Sequence, residues 1–177
     1  TVEIAVPLEE ADAGIIITAS HNPRNWNALK LLNNNGEFIS ANDGEKLLNI
    51  ANSNPNYNTD LKKGFVEFNS DYIDIHTDMI LNLPSVEVDL IKKRKFKIVV
   101  DAVNSTGGIA VPNLLKKLDV NVVELYCEPN GEFPHNPEPL KENLTDLSNL
   151  VIKQKADLGI VVDPDVDRLA FVSENGE

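Results

Sequence analysis

Cysteine and long apolar runs are scarce in this sequence, and each scarcity excludes a different class of protein. Cys127 is the only cysteine among the 177 residues, so no disulfide can form within the chain. A single cysteine is typical of a reducing compartment, and we expect the protein to be cytoplasmic. No stretch approaches the roughly 20 apolar residues of a membrane-spanning helix, and the first residues lack a signal-peptide pattern. We therefore predict no membrane contact.

Basic residues are also in short supply. Lysine and arginine together number 16, against 28 aspartate and glutamate residues, and the formal net charge is -12. A protein that follows nucleic-acid phosphates needs basic side chains clustered on one surface. The one dense basic run, Lys92–Lys95, is more typical of a solvated helix end. We therefore predict that no nucleic acid is a partner.

The second half of the chain alternates between strand and helix patterns. Strands are predicted at Phe96–Asp101, Val120–Tyr126 and Leu158–Val162, with a helix that ends near Leu118 and another over Leu144–Lys155. Strands that alternate with crossover helices form a mostly parallel sheet with helices on its faces, so the predicted fold class is α/β. Between the first strand and the first helix lies Asn104–Gly108, which we interpret as an ordinary turn because it lacks the glycine spacing of a phosphate-binding loop.

The first half of the chain is less regular. We predict a helix or strand over Val2–Glu10, a buried strand at Ile15–Ile17, a hairpin turn at Asn33–Gly36, a helix that starts near Asn42, a short strand at Phe65–Phe68 and a helix capped by Ser70. Pro84 and a charged stretch then separate the two halves. We place the domain boundary between residues 84 and 90, which gives units of residues 1–84 and 89–177.

The apolar run that contains Ile15–Ile17 leads directly into Thr18-Ala-Ser-His-Asn-Pro23. Proline at the end of this run biases the preceding residue away from helix, so we expect Ser20 and His21 in a tight loop beyond a strand's carboxyl end. Ligands bind at that position in open α/β sheets, although a plain surface turn is the simpler alternative. Because Ser20 and His21 are neighbours in an extended loop, we expect their side chains to point in opposite directions. That expectation, together with the absence of a Gly-x-Ser-x-Gly motif, argues against a hydrolase-type Ser-His pair.

Three aspartates at alternate positions follow the last predicted strand of the second half, in the sequence Asp163-Pro-Asp-Val-Asp-Arg168. Mutual repulsion among Asp163, Asp165 and Asp167 requires a counter-ion, and a hard divalent cation is the obvious one. Mg²⁺ prefers oxygen ligands and commonly joins protein carboxylates to a phosphate oxygen. We therefore predict a Mg²⁺ site with these three aspartates as ligands.

Three alternatives to this Mg²⁺ site remain. The loop could be a solvated turn, or a calcium-binding helix-loop-helix loop, since Asp163, Asp165, Asp167 and Glu174 have its ligand spacing. The calcium loop needs glycine where Arg168 stands, and the flanking segments have strand rather than helix patterns. The third alternative is a phosphatase-like or metal-binding α/β module in which Asp163 is the nucleophile and Ser20 plays no part.

Three segments together resemble the α-D-phosphohexomutase superfamily, whose members are phosphoglucomutases, phosphomannomutases and phosphoglucosamine mutases. The first is the serine loop, Thr18–Pro23, with Lys30 shortly after it, and the second is the aspartate loop. Between them, Gly131-Glu-Phe-Pro-His-Asn-Pro-Glu-Pro-Leu-Lys-Glu-Asn-Leu144 is similar to another segment of the family. Two positions depart from the family's pattern: Pro164 stands where glycine is usual, and Ala28 stands where an Asn-Gly pair usually precedes the lysine.

The resemblance implies a fold and a position within a longer enzyme. Family members have four domains built from mixed, mostly parallel α/β units. Residues 1–84 would correspond to the C-terminal half of the first domain, with the serine loop, and residues 89–177 to nearly all of the second, with the metal-binding loop. The first unit would therefore be incomplete, and the chain alone would be inactive.

The resemblance also implies a reaction. A phosphoserine at Ser20 would convert a hexose 1-phosphate to a 6-phosphate, or the reverse, through a 1,6-bisphosphate. Mg²⁺ would be held by the three aspartates and by the phosphorylated Ser20, while Lys30, His21 and Arg168 would assist as acid, base or cations. The implied partners are a phosphorylated hexose and the remaining domains of the same polypeptide. Glucosamine, glucose and mannose phosphates all remain open as substrates.

Overall fold

The computed structural model describes residues 1–23, 25–56 and 64–177. Internal contacts divide the chain into two units: Thr1–Ile16 with Leu29–Ile73, and Ile17–Ala28 with Asp74–Glu177. The serine loop is thereby grouped with the second half of the chain, although it is distant in sequence. The boundary between residues 84 and 90 stays a prediction.

The first half of the chain contains short elements. Helix α1 covers Val2–Leu8, strands β1 and β2 cover Gly14–Thr18 and Ala28–Leu32, and helix α2 covers Ala41–Asn52. The two strands pair in a two-stranded sheet. The hairpin turn predicted at Asn33–Gly36 is present, since an antiparallel bridge joins Leu32 to Phe38 and Gly36 has a φ of 78°. A side chain at Gly36 would also collide with the Glu3 carbonyl, so only glycine fits this turn.

Two expectations about this half of the chain are wrong, and the predicted start of α2 is off by one residue. Strand β1 forms as predicted, but Ile15 and Ile17 are 59% and 70% exposed, because a strand in a two-stranded sheet alternates its side chains between two faces. Phe65–Phe68 forms no strand, and Phe68 is 97% exposed; β-favouring side chains do not make a strand without a hydrogen-bonded partner. Helix α2 is capped by Ser40, which accepts from the Asp43 N–H at 3.1 Å, so it starts before the predicted Asn42.

The second unit has the predicted alternation of strands and helices. Its helices are α3 Tyr72–Leu81, α4 Val88–Arg94, α5 Gly107–Lys117 and α6 Thr145–Gln154, and its strands are β3 Lys97–Asp101, β4 Asn121–Leu125, β5 Leu158–Val162 and β6 Leu169–Ser173. A short 3-10 helix covers Lys141–Asn143. The sheet order is β4-β3-β5-β6, in which β3 is parallel to both neighbours and β6 is antiparallel to β5. The predicted α/β class with a mostly parallel sheet is confirmed.

Alternate residues of β3 face two separate cores. Val99 packs in a cluster with Leu147 and Val151 of α6, whereas Val100 packs in a second cluster with Leu115 of α5. The two-residue period of a strand sends these neighbours to opposite faces, and a helix covers each face. Within the described ranges, no helix has both the length and the apolar character that crossing a bilayer requires.

Parallel pairing of β3 and β5 brings two loops to one edge of the sheet. Asp101, the last residue of β3, is in register with Val161 of β5, and Asp163 follows immediately after β5. The start of α5 packs tightly: a side chain at Gly108 would collide with the Cys127 backbone. The glycine is therefore explained by packing, in agreement with an ordinary strand-to-helix turn, and the loops after β3 and β5 lie where α/β sheets bind ligands.

Candidate metal centre and serine loop

The loop between β5 and β6 gathers three carboxylates. Asp163, Asp165 and Asp167 each offer an oxygen, and these atoms all lie within 4.8 Å of one another. The loop is closed by hydrogen bonds from the Asp163 N–H to the Arg168 carbonyl, at 3.2 Å, and from the Val166 N–H to the Asp163 carbonyl, at 3.1 Å. Val166 adopts a φ of 65°, which turns the chain back on itself. Exposure rises along the loop, since Asp163 is buried, Asp165 is half-buried and Asp167 is exposed.

Asp163 shows why this cluster fits a cation. Its Oδ1 accepts hydrogen bonds from the backbone N–H groups of Asp167 and Arg168, both at 3.2 Å. Its Oδ2 is buried and, within the described part of the chain, has no hydrogen-bond donor. Burial, together with the charges of Asp165 and Asp167, raises the pKa of Asp163 to about 6. A divalent cation, which prefers oxygen ligands, would balance the negative charge of this buried carboxylate oxygen.

Two hydroxyl groups anchor the backbone of the aspartate loop. Ser105 Oγ and Thr106 Oγ1 both donate to the Pro164 carbonyl, at 2.8 and 2.9 Å. Pro164 itself is buried. This role is not predicted by the sequence, because glycine spacing alone gives no indication of what these hydroxyls contact. Ser105 and Thr106 follow β3, which is parallel to β5, and the loops after parallel strands lie at the same edge of a sheet. Their position after β3 is the feature of the sequence that could have indicated the contact.

Thr18 connects the serine loop to the aspartate loop. Its Oγ1 donates to Asp165 Oδ2 at 3.0 Å and accepts from the Ser20 N–H at 2.8 Å. The Thr18 side chain is nearly buried, with the residue 8% exposed. This role of Thr18 is not predicted by the sequence, because a hydrogen bond across 147 positions leaves no local pattern. The contact places the Ser20 backbone beside one of the three carboxylates.

Ser20 and His21 do not point in opposite directions, and that prediction is wrong. Ser20 Oγ lies 3.2 Å from His21 Nδ1. The physical reason is that Ser20 has a φ of 52°, in the left-handed region, so the side-chain alternation of an extended segment does not apply. The geometric argument against a hydrolase-type pair is therefore lost. The absence of a Gly-x-Ser-x-Gly motif still argues against it.

Arg168 and Lys30 occupy different surroundings. Arg168 Nη1 donates to Glu138 Oε1 at 3.2 Å, and both side chains are partly exposed. Lys30 lies half-buried on β2, in the first unit. Their roles near a serine phosphate stay predictions. Glu138 was not singled out as a functional residue in the sequence, although it belongs to the segment between the two loops.

That intermediate segment, residues 131–144, is fastened at its start to the loop after β3. The Gly131 N–H donates to the Asn104 carbonyl at 2.9 Å, and Asn104 Nδ2 donates to the Glu132 carbonyl at 3.0 Å. Further along, His135 Nε2 lies 2.9 Å from Asp101 Oδ2. The segment therefore runs along the sheet edge that carries the aspartate loop.

The surroundings of His135 favour the protonated imidazole. Its Nε2 faces the Asp101 carboxylate and its Nδ1 faces the Asn136 carbonyl at 2.8 Å, so both nitrogens face acceptors. The hydrogen bond to Asp101 raises the pKa of His135, against the opposing effect of burial. Asp101 is 1% exposed and also accepts from the Val103 N–H at 3.0 Å. The buried carboxylate therefore favours a proton on the imidazole that faces it.

Replacing His135 with glutamine should destabilise the chain in a pH-dependent way. A raised folded-state pKa means that the pair stabilises the fold below the ordinary pKa near 6.5, and that this contribution is lost as pH rises through the raised value. We expect a loss of about 1.5–3 kcal/mol at pH 6, the range for hydrogen bonds to charged groups, and a smaller loss at pH 9. Denaturant unfolding from pH 5 to 9 measures it.

The matched control for this experiment is His76→Gln, which removes a histidine from helix α3. The His76→Gln chain should keep the part of the pH dependence of the free energy of unfolding that His135 contributes. A His135→Gln penalty that is constant, or that grows toward high pH, would contradict a protonated imidazole at Asp101.

Comparison with known families covers most of the chain. A family model described as "Phosphoglucomutase/phosphomannomutase, alpha/beta/alpha domain II" matches residues 70–176. A second model, described as domain I of the same family, matches residues 1–58. The boundary of each match falls outside the serine and aspartate loops, so both loops lie within matched residues.

Individual relatives agree with the family models. A protein from Methanopyrus kandleri, named "Probable phosphoglucosamine mutase", is 35% identical over 97% of this chain and 37% of its own length. A phosphoglucomutase/phosphomannomutase from Thermococcus kodakarensis is 37% identical over 94% of this chain and 36% of its own length. The crystal structure of a family protein from Burkholderia thailandensis, 27% identical, covers 94% of this chain and 34% of its own, with a TM-score of 0.69. The chain therefore spans little more than a third of these relatives.

Proposed function

We propose that this chain, which belongs to the phosphoglucomutase/phosphomannomutase family, is part of a phosphohexose mutase. Membership of the family confirms the resemblance that three sequence motifs indicated. The observation that carries the proposal is the Thr18 hydroxyl, which bonds both to the Ser20 backbone and to Asp165 of the carboxylate cluster. This contact supports the proposal because it sets Ser20 beside the carboxylate cluster, and phosphoryl transfer through a phosphoserine needs a cation nearby.

The proposed cofactor is Mg²⁺, held by Asp163, Asp165 and Asp167 and by a phosphate oxygen on Ser20. All of these ligands are oxygens, and hard divalent cations prefer oxygen. When bound, the ion would neutralise negative charge on the phosphoryl group as it moves. The chain would support the ion in two ways. Ser105 and Thr106 hold the backbone of the aspartate loop at Pro164, and Asp163 offers a buried carboxylate oxygen.

The proposed reaction exchanges one phosphate ester bond for another. The bond between phosphorus and Ser20 Oγ breaks as a sugar hydroxyl forms a new bond to the same phosphorus, which yields a hexose 1,6-bisphosphate. The hydroxyl proton passes to a base, and the bisphosphate then returns its other phosphoryl group to Ser20. His21 Nδ1, at 3.2 Å from Ser20 Oγ, is placed to hold or release a proton at that oxygen. Lys30 and Arg168 are proposed as the cations that stabilise the transferring group.

The substrate and the location are also proposals. We propose a glucosamine, glucose or mannose phosphate, in keeping with the relatives, whose names include both phosphoglucosamine mutase and phosphoglucomutase/phosphomannomutase. A single cysteine favours the cytoplasm as the compartment. We expect the 177-residue chain to be inactive without the rest of a polypeptide of the relatives' length.

Phosphate mapping tests the proposal against the phosphatase-like alternative. The full-length polypeptide is incubated with a hexose 1,6-bisphosphate, digested and analysed by mass spectrometry, with protein that saw no bisphosphate as the control. We expect the added phosphate on the peptide that contains Ser20. A phosphate on Asp163 would instead establish the phosphatase-like chemistry.

A further inference from the structure

The Thr18 hydroxyl has a hydrogen-bond direction that chemistry alone determines. A backbone N–H can only donate, so Thr18 Oγ1 must accept from Ser20. A carboxylate can only accept, so the single Thr18 proton must go to Asp165 Oδ2. The two hydrogen bonds therefore have one possible direction, in which the Ser20 N–H donates to Thr18 and the Thr18 hydroxyl donates to Asp165. Rotation of the hydroxyl would break the bond to Asp165.

One end of this chain of bonds holds an unfavourable backbone. Ser20 has a φ of 52°, and a left-handed conformation is unfavourable for an L-residue other than glycine. The bond from the Ser20 N–H to Thr18 offsets part of that cost. The position of Ser20 Oγ therefore depends on the Thr18 hydroxyl, even though the two side chains make no bond to each other in the described contacts.

The other end holds a member of the carboxylate cluster. The Thr18 proton fixes the rotation of the Asp165 carboxylate through Oδ2, within a cluster whose oxygens lie within 4.8 Å. Thr18 is 8% exposed, so water competes little for the hydroxyl. Groups that orient a metal-binding carboxylate from behind commonly change metal affinity by 10- to 100-fold when they are removed.

We propose that Thr18 is a positioning residue that couples occupancy of the cation site to the conformation of the serine loop. The inference rests on the proposed function, because it takes the three aspartates as a Mg²⁺ site. A cation at Asp165 fixes the carboxylate, the carboxylate fixes the Thr18 hydroxyl, and the hydroxyl oxygen holds the Ser20 N–H. Without the cation, the same series of bonds leaves the serine loop less ordered.

The test measures Mg²⁺ affinity and loop order separately in the full-length protein. Isothermal titration with MgCl₂ gives the affinity, and hydrogen exchange read by mass spectrometry, with and without Mg²⁺, gives the order of the peptide around Ser20. Thr18→Val keeps the side-chain shape but removes the hydroxyl, whereas Thr18→Ser keeps the hydroxyl. We expect Thr18→Val to weaken Mg²⁺ binding about 10- to 100-fold and to lose the Mg²⁺-dependent protection even at saturating Mg²⁺. Thr18→Ser should retain both within about threefold.

Thr106→Val is the matched control, since its hydroxyl contacts the aspartate loop at the Pro164 carbonyl rather than at a carboxylate. It should keep the Mg²⁺-dependent protection around Ser20. Wild-type affinity and protection in Thr18→Val would overturn the inference while leaving the Mg²⁺ site intact. Failure of the wild-type protein to bind Mg²⁺ would overturn both the inference and the proposed cofactor, so the two failures are distinguishable.

Discussion

We expect Ser20→Ala to abolish the proposed interconversion of hexose 1-phosphate and hexose 6-phosphate by the full-length polypeptide, with a loss of at least about 10⁴-fold in kcat, as removal of a covalent nucleophile does elsewhere. The substitution removes only the oxygen that is proposed to carry the phosphoryl group. The Ser20 N–H still donates to Thr18, and alanine has the same Cβ in the left-handed conformation, so the loop should keep its shape. Coupled assays with glucose, mannose and glucosamine 1-phosphates measure the loss and identify the preferred sugar.

Ser105→Ala is a suitable control, because it removes a hydroxyl that touches the aspartate loop without touching a phosphoryl group. It should lower turnover while phosphate still accumulates on Ser20. The assignment of Ser20 as phosphoryl carrier fails if Ser20→Ala retains wild-type phosphate incorporation after treatment with hexose 1,6-bisphosphate.

Asp163→Asn should eliminate Mg²⁺ binding and turnover, yet make the metal-free chain more stable at neutral pH. The amide oxygen can still accept from the backbone N–H groups of Asp167 and Arg168. The amide nitrogen replaces Oδ2, a buried oxygen without a donor in the described structure, and it can donate to the remaining carboxylates. The substitution thus removes a buried charge and supplies a donor in one step.

The stability that Asp163→Asn gains should depend on pH in a direction that the pKa of Asp163 determines. Burial raises the folded-state pKa of Asp163 to about 6, from an ordinary value of 3.8. The folded chain therefore binds the proton more tightly than the unfolded chain, and its stability falls as pH rises from about 4 to about 6. Above that window the wild-type chain carries the full penalty, and we expect Asp163→Asn to be more stable by about 1–3 kcal/mol.

Unfolding in EDTA at pH 5 and pH 8 measures this gain, and Asp12→Asn is the control for removal of one exposed aspartate charge. The control should change the free energy of unfolding by less than about 0.5 kcal/mol, as surface substitutions do. Added Mg²⁺ should then stabilise the wild-type chain but not Asp163→Asn. A less stable Asp163→Asn chain in EDTA at pH 8 would show that the cluster is not under charge repulsion.

The sheet of the second unit could be predicted because its signals are local. Leu158–Val162 is a short apolar run bounded by polar residues, and the structure places β5 at the same residues. Phe65–Phe68 has equally strong β-forming side chains, yet it forms no strand. The difference lies in pairing, because β5 has hydrogen-bonded neighbours on both sides, and no sequence pattern states whether a partner is available.

The clustering of the three aspartates could be predicted from their residue type and spacing, but the geometry of the serine loop could not. Alternate aspartates after a buried strand favour a cation site, which stays a prediction. The Ser20–His21 contact could not be predicted, because it depends on the positive φ of Ser20. The local sequence does not show whether this serine adopts a positive or a negative φ. The contacts of Thr18 and Glu138 could not be predicted for another reason, since their hydrogen-bond partners lie 147 and 30 positions away in the sequence.

The gradual increase in exposure from Asp163 to Asp167 gives the aspartate loop an inner end and an outer end. Asp167, the exposed end, would be the first carboxylate within reach of a hydrated cation from solvent. Asp163, the buried end, would supply its oxygen last and lose the cation last. Asp163 would then mainly set how slowly a bound cation leaves, whereas Asp167 would mainly set how fast one is captured.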